Sequence, residues 1–206
     1  MEYFPFYMNI EGADCLVIGG GRIAQNKIEK ISSFKPRITV AAPQICPEIR
    51  AFSGLTLVEA EFTPDLLSGR DFVIAATDSR DVNHQIAQLC KAGKIPVNAV
   101  DSREDCSFIF PALIHKGPLS IGISTAGSSP SAAIWLKERI SALSPDQMED
   151  ILLGLEAIRP QIQKAVPEQK RSAVYRELLS QSIALGRAPD ESELRQILQS
   201  EAYTND

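Results

Sequence analysis

Apolar and polar positions along this chain follow two periods in turn. Cys15-Leu16-Val17-Ile18 is a short apolar run that ends in Gly19-Gly20-Gly21. Beyond it Ile23, Ala24, Lys27, Ile28 and Ile31 fall at helical spacing, with Lys27 at the margin of the stripe. The pattern predicts a strand, a glycine turn and a helix stopped by Ser32-Ser33 and Pro36. A second strand is expected over 37–42, ended by Pro43, then a short helix or turn over 47–52. Residues 55–60 alternate like a strand, 62–67 suggest a helical turn, and 71–78 form a strand with a small, polar end. A helix over 81–92 follows, with Asp78 as its candidate cap and Gly93 at its end, and then a strand over 95–101. Strands alternating with helices predict an α/β fold with a Rossmann-type parallel sheet to about residue 110. The aromatic stretch 3–10 contains Pro5, which limits it to an edge strand or an extended arm.

After residue 110 the pattern changes. Residues 111–124 read as two strands joined by a tight turn at Lys116-Gly117-Pro118. A loop of small residues, 125–129, leads to Pro130, a residue suited to the first position of a helix that runs to about 141. A break at 143–146 precedes a stretch with helical period to about 198, with breaks expected near Pro160, Pro167 and 186–189, and a frayed tail at 201–206. Three parts result: 1–110, 111–145 and 146–206.

The chemistry begins at the glycine turn. Gly19, Gly21 and Ala24 have the spacing G-x-G-x-x-A of a dinucleotide site. Gly19 allows the tight turn, Gly21 leaves the backbone open to a pyrophosphate, and Ala24 lets the helix pack closely on the sheet. Free N–H groups at Arg22 and Ile23, with the helix dipole, favour the phosphate charge. Many such folds carry an acid or an arginine after the second strand, to hold ribose hydroxyls or a 2′-phosphate. Here the positions are Ala41, Ala42, Pro43 and Gln44, so Pro43 and Gln44 are the candidates for this part of the site, and NAD is favoured over NADP. Ala76, Thr77 and Asp78 close a strand and are expected to line the cofactor cleft, because ligands in such sheets lie beyond the carboxyl ends of the strands. Asp101 closes the next one. It is expected either to accept a proton beside the cofactor or to serve as a turn residue leading into Ser102-Arg103.

Composition narrows the partners. The chain has 206 residues, 44% hydrophobic and 23% charged, as an ordinary globular protein does. A net charge of −5 argues against a general nucleic-acid binder. No apolar run approaches the ~20 residues of a membrane span, and the N-terminus has no signal-peptide pattern. Cys15, Cys46, Cys90 and Cys106 are scattered, which fits free thiols in a cytoplasmic protein. His84 and His115 have no companion at ligand spacing, so no metal site is expected.

The succession Val17-Ile18-Gly19-Gly20-Gly21, Ala75-Ala76-Thr77-Asp78, Asn98-Ala99-Val100-Asp101, Ser107-Phe108-Ile109-Phe110-Pro111 and Ser124-Thr125-Ala126-Gly127-Ser128-Ser129-Pro130 resembles the siroheme-synthase N-terminal family over residues 1 to about 145. The resemblance implies an NAD-dependent precorrin-2 dehydrogenase acting in siroheme biosynthesis, some members of the family also inserting iron into sirohydrochlorin. It implies a homodimer built through 111–145, a helical C-terminal domain over 146–206 that covers the tetrapyrrole, and a stand-alone form without a methyltransferase domain. It places catalysis on Asp101 and the substrate near Ser124, Thr125, Gly127 and Ser128. Arg103, Lys116, Lys137 and Arg139 are candidates for the substrate carboxylates. Two other classes of function stay open: a chelatase that keeps the fold without using NAD, and a nucleotide-sensing module that binds without reacting.

Overall fold

The structure, a computed structural model, describes residues 3–199. The tail at 201–206 lies outside the described residues.

Residues 3–109 form one compact unit. Its strands are β1 (Asp14–Ile18), β2 (Arg37–Ala41), β3 (Thr56–Val58), β4 (Phe72–Ala75) and β5 (Val97–Ala99). They build a five-stranded sheet in the order β3-β2-β1-β4-β5, with every pair parallel. The helices are α1 (Arg22–Ser32), the short α2 (Pro47–Arg50) and α3 (Arg80–Ala92), with a 3-10 turn at Pro64–Leu67. The β1 run is apolar without alternation because β1 is central and both its faces are covered. On one face Leu16, Ile18, Val73, Ala75, Val97 and Ala99 pack with Ile86, Ala87 and Cys90 of α3 and with Leu67. Cys15, Val17 and Ile74 alternate to the other face. The buried stripe of α1 is Ala24, Ile28 and Ile31, as its spacing predicts. The four cysteines are free thiols. Burial pushes the Cys15 thiol up to about 12 and that of Cys90 to about 11, so both stay protonated and inert near neutrality.

Residues 3–10 carry no strand, which leaves the extended arm of the two alternatives, and Phe4, Phe6 and Tyr7 are exposed. Two expectations are corrected here. Asp78 does not cap α3: Ser79 does, its hydroxyl accepting from the Val82 N–H at 3.4 Å. The strand expected over 95–101 is β5 alone, and the chain turns at Val100-Asp101.

From Phe110 onward the described residues form a second compact unit. Strands β6 (Ala112–Lys116) and β7 (Leu119–Ile123) pair antiparallel, Lys116 opposite Leu119, across the two-residue turn Gly117-Pro118. Gly117 has φ +53, which suits the residue type. Helices α4 (Pro130–Leu143), α5 (Met148–Ala165), α6 (Glu168–Leu185) and α7 (Glu191–Leu198) follow. Ile162, Val166, Val174, Leu178, Leu194 and Ile197 form the common core of α5, α6 and α7. Pro160 does not break the chain, contrary to its usual effect, but lies inside α5. It sits on an exposed face, while Ile158 and Ile162 hold the helix to the core. The breaks at Pro167 and 186–189 are real: Pro167 precedes α6, Gly186 ends it at φ +69, and Asp190 and Glu193 form a capping box on α7.

Candidate functional site

Backbone hydrogen bonds knit the carboxyl edge of the sheet together. The Gly19 N–H donates to the Ala41 carbonyl at 2.9 Å, Ala76 to Ile18 at 2.7 Å, Val100 to Ala75 at 2.9 Å, and Cys46 to Gly20 at 2.8 Å. The loops after β1, β2, β4 and β5 thus share one edge. Gly19, Gly21, Gln44, Ala76 and Asp101 are far apart in sequence and are gathered there.

The three glycines have different jobs. Gly19 turns at φ +123, and a Cβ there would stand 2.2 Å from the Ala76 carbonyl oxygen. A Cβ on Gly20 would stand 1.9 Å from the Gln44 carbonyl oxygen and 2.8 Å from the Ile45 Cα. The spacing rule passes over Gly20, yet it makes the tightest backbone approach in the turn. A Cβ on Gly21 would meet nothing within 4 Å. Gly21 is the N-cap of α1, and neither a side-chain cap nor an acidic residue serves that helix end. Open space over uncapped N–H groups at a helix start suits an anion. Arg22 and Ile23 are exposed beside it, and Ala24 is buried against the sheet as its small size requires. These features fit a dinucleotide pyrophosphate.

After β2, Pro43 and Gln44 are exposed, and positions 41–46 hold no acid or base. After β4, Ala76 is buried, Thr77 half-buried and Asp78 exposed. Thr77 is held by a residue that sequence reasoning missed. The buried Asn83 of α3 accepts from the Thr77 N–H at 3.0 Å, lies 2.8 Å from its hydroxyl, and donates to its carbonyl at 3.1 Å. Nothing in the apolar stripe of α3 marks Asn83, because its partner is a loop backbone.

After β5, Asp101 is exposed at φ +63, a conformation few non-glycine residues adopt. Asn98 on β5 is buried and donates to the Phe108 carbonyl at 3.0 Å and to Cys106 Sγ at 3.4 Å. Its Oδ1 is a buried acceptor with no hydrogen-bond partner among the described residues. Half-buried Lys27 faces this region. Burial lowers its ammonium to about 8, with Lys30 acting in the same sense and Cys106 and Asp101 against it.

The expected substrate loop lies in the second unit. Thr125 shapes the turn: its hydroxyl donates to the Ser129 carbonyl at 3.0 Å and accepts from the Ser129 N–H at 3.2 Å. Ser124 Oγ accepts from the Ala126 N–H at 3.1 Å, and the Ser129 hydroxyl caps α4 through the Ala132 N–H at 3.2 Å. Gly127 and Ser128 are exposed. Lys116 donates to the Pro145 carbonyl at 3.2 Å and pairs with Asp146, while Arg139 lies 5.3 Å from the Trp135 ring centroid. Arg103 and Lys137 are exposed. Neither histidine belongs to a cluster: His84 pairs with Asp105, and His115 Nδ1 lies 3.2 Å from the Ser120 hydroxyl. Among the described residues no three His, Cys, Asp or Glu side chains gather to hold a metal ion. None of their helices is long and apolar enough to cross a membrane.

A parallel sheet in this order, with a glycine turn and an uncapped helix start at its carboxyl edge, defines a Rossmann-type nucleotide-binding fold. Residues 6–112 match the sequence model of a family described as putative NAD(P)-binding. The chain belongs to this family, the siroheme-synthase N-terminal family that its motifs resemble. It is 35% identical over 171 residues to a siroheme synthase of Thioalkalivibrio sulfidiphilus, a match covering 82% of this chain and 35% of that protein. It is 39% identical over 185 residues to a siroheme synthase of Gluconacetobacter diazotrophicus, covering 86% and 39%. The chain therefore spans little more than a third of these relatives. Among solved structures it resembles SirC, a precorrin-2 dehydrogenase, with a TM-score of 0.71 and 26% identity over 96% of this chain and 98% of that one.

Proposed function

We propose that this protein is an NAD-dependent precorrin-2 dehydrogenase that forms sirohydrochlorin for siroheme biosynthesis. The observation that carries the reading is the likeness to SirC, which runs the length of both chains. The open helix start at Gly21 supports NAD as the cofactor, with Arg22, Ile23 and Gln44 beside its phosphates and adenosine ribose and Ala76, Thr77 and Asp78 along the cleft. Bound NAD supplies the hydride acceptor. Asp101, at the carboxyl edge of the sheet, accepts the proton released from the atom next to the carbon that gives up its hydride, so that the electron pair left behind forms the new double bond. Ser124, Thr125, Gly127 and Ser128 border the tetrapyrrole, Thr125 by shaping the loop and Gly127 and Ser128 by exposed contact. The enzyme works in the cytoplasm.

The test follows NADH absorbance and the sirohydrochlorin spectrum when precorrin-2 is added with and without NAD. Sirohydrochlorin formed only with NAD, with one NADH per product, is the expected result. No oxidation with NAD present would overturn the reading. Sirohydrochlorin given ferrous ion in a parallel arm reports metal insertion separately.

The protein acts as a homodimer through 111–145, beneath a helical part over 146–206. A lone two-stranded hairpin is marginal in water, and among the described residues β6 and β7 have only each other as strand partners. Ile134, Trp135 and Leu136 of α4 and Leu143 at its end are exposed apolar side chains that a second copy would cover. Light scattering at micromolar concentration should give twice the 22.5 kDa chain mass. A monomer there would count against the assembly.

A further inference from the structure

Between Asp101 and β6 the chain crosses a loop whose centre is a buried acid. Asp105 has a side chain only 8% exposed, and three groups converge on it. The Ser102 hydroxyl donates to Oδ2 at 2.7 Å. His84 Nδ1 lies 2.9 Å from Oδ1 and 3.0 Å from Oδ2. Lys91 Nζ stands 3.8 Å from Oδ1 and donates to the Glu104 carbonyl at 2.6 Å. His84 and Lys91 are seven residues apart on α3, two turns along one face. Burial acts to raise the Asp105 carboxyl, but Ser102, His84 and Lys91 outweigh it and hold it below the usual range, so it is ionised at neutral pH.

The loop is tied on both sides of Asp101. Asp101 has φ +63, a left-handed conformation that aspartate tolerates better than most L-residues, and its neighbours fix it there. On one side Val100 is tied to Ala75. On the other, Ser102 is held by its hydroxyl to Asp105 and by its carbonyl, which accepts from the Cys106 thiol at 3.1 Å. Behind the first tie stands β4, and behind the second, through Asp105, stands α3.

We infer that Asp105, clamped by His84 and Lys91, is a positioning residue that orients Asp101 for proton abstraction. The inference rests on the reading of Asp101 as the proton acceptor. Asp105 touches no reacting atom. It transmits the placement of α3 through Ser102 to the residue before it, and small misplacements of a reacting group cost up to about 100-fold in rate.

The test is steady-state kinetics of Asp105→Asn, His84→Ala, Asp101→Asn and the Asp101→Asn/Asp105→Asn double variant, with NAD binding stoichiometry by calorimetry. His84 is 59% exposed, so its removal leaves the fold intact. Asp105→Asn should lower kcat by about 10- to 100-fold, with KM for precorrin-2 within about 2-fold and one NAD bound per chain. His84→Ala should lower kcat by about 3- to 10-fold. In the double variant the Asp105 change should cost nothing beyond Asp101→Asn, because the two act as one unit. Parental kcat in both Asp105→Asn and His84→Ala, or losses that multiply in the double variant, would overturn this inference and leave Asp101 as the base. A loss matched by fewer NAD sites per chain would make Asp105 merely structural and overturn it too. Parental kcat in Asp101→Asn alone would instead remove the base, and this inference with it.

Discussion

Asp101→Asn should fold, bind NAD with parental affinity and lose about 10²- to 10⁴-fold in kcat. Folding is expected because Asp101 sits at φ +63, where asparagine is among the best tolerated side chains. Its side chain is exposed, so the amide buries no new polar group. The loss is expected because an amide of the same size cannot accept the proton. On the free-energy scale the change amounts to about 3 to 5 kcal/mol of transition-state stabilisation. A carboxylate that only positions the substrate would show a different signature, a raised KM with kcat nearly intact. NADH formation under saturating substrate decides between them. A kcat within a few-fold of the parent would leave Asp101 as a turn residue.

Gly21→Asp should abolish NAD binding while Gly20→Ala should destabilise the fold, although the two glycines are neighbours. Gly21 has φ −97, open to any L-residue, and a Cβ there meets nothing within 4 Å. Aspartate is a good N-cap, so its carboxylate would take the free N–H groups of α1 and stabilise the helix by a few tenths of a kcal/mol. The same carboxylate occupies the anion seat and repels the pyrophosphate, so affinity should fall by at least about 100-fold. Gly20 has no such space: its Cβ would run into the backbone of Gln44 and Ile45. Gly20→Ala should cost on the order of 3 kcal/mol or more, about 6–12 °C in Tm for a chain of this size. Titration calorimetry and thermal denaturation on both variants check the pair. NAD affinity unchanged in a folded Gly21→Asp protein would reject the placement of the pyrophosphate.

Whatever depends on neighbours within a few residues is legible in the chain before it folds. The apolar run before Gly19, the stripe Ala24-Ile28-Ile31, the stop at Gly93 and the turn at Gly117-Pro118 each carry their reason locally: burial on both faces, helical period, or positive φ. The alternation of such elements was enough to define the parallel sheet, and the G-x-G-x-x-A spacing was enough to locate the open helix start. Tertiary structure decided what depends on residues distant in the chain. Gly20 is critical because the backbone of Gln44 passes against it, and no spacing rule contains that contact. Asn83 and Asp105 are polar side chains whose partners, Thr77 and His84, lie on other elements, so each reads as an ordinary surface residue until the fold buries it. Ser79 rather than Asp78 caps α3 because the cap depends on where the first turn begins, a shift of one residue that composition does not resolve. Pro160 stays within α5 because packing on one face of the helix outweighs one lost hydrogen bond on the other. Local pattern sets the conformation of a segment, and only the meeting of segments sets which polar groups are buried together.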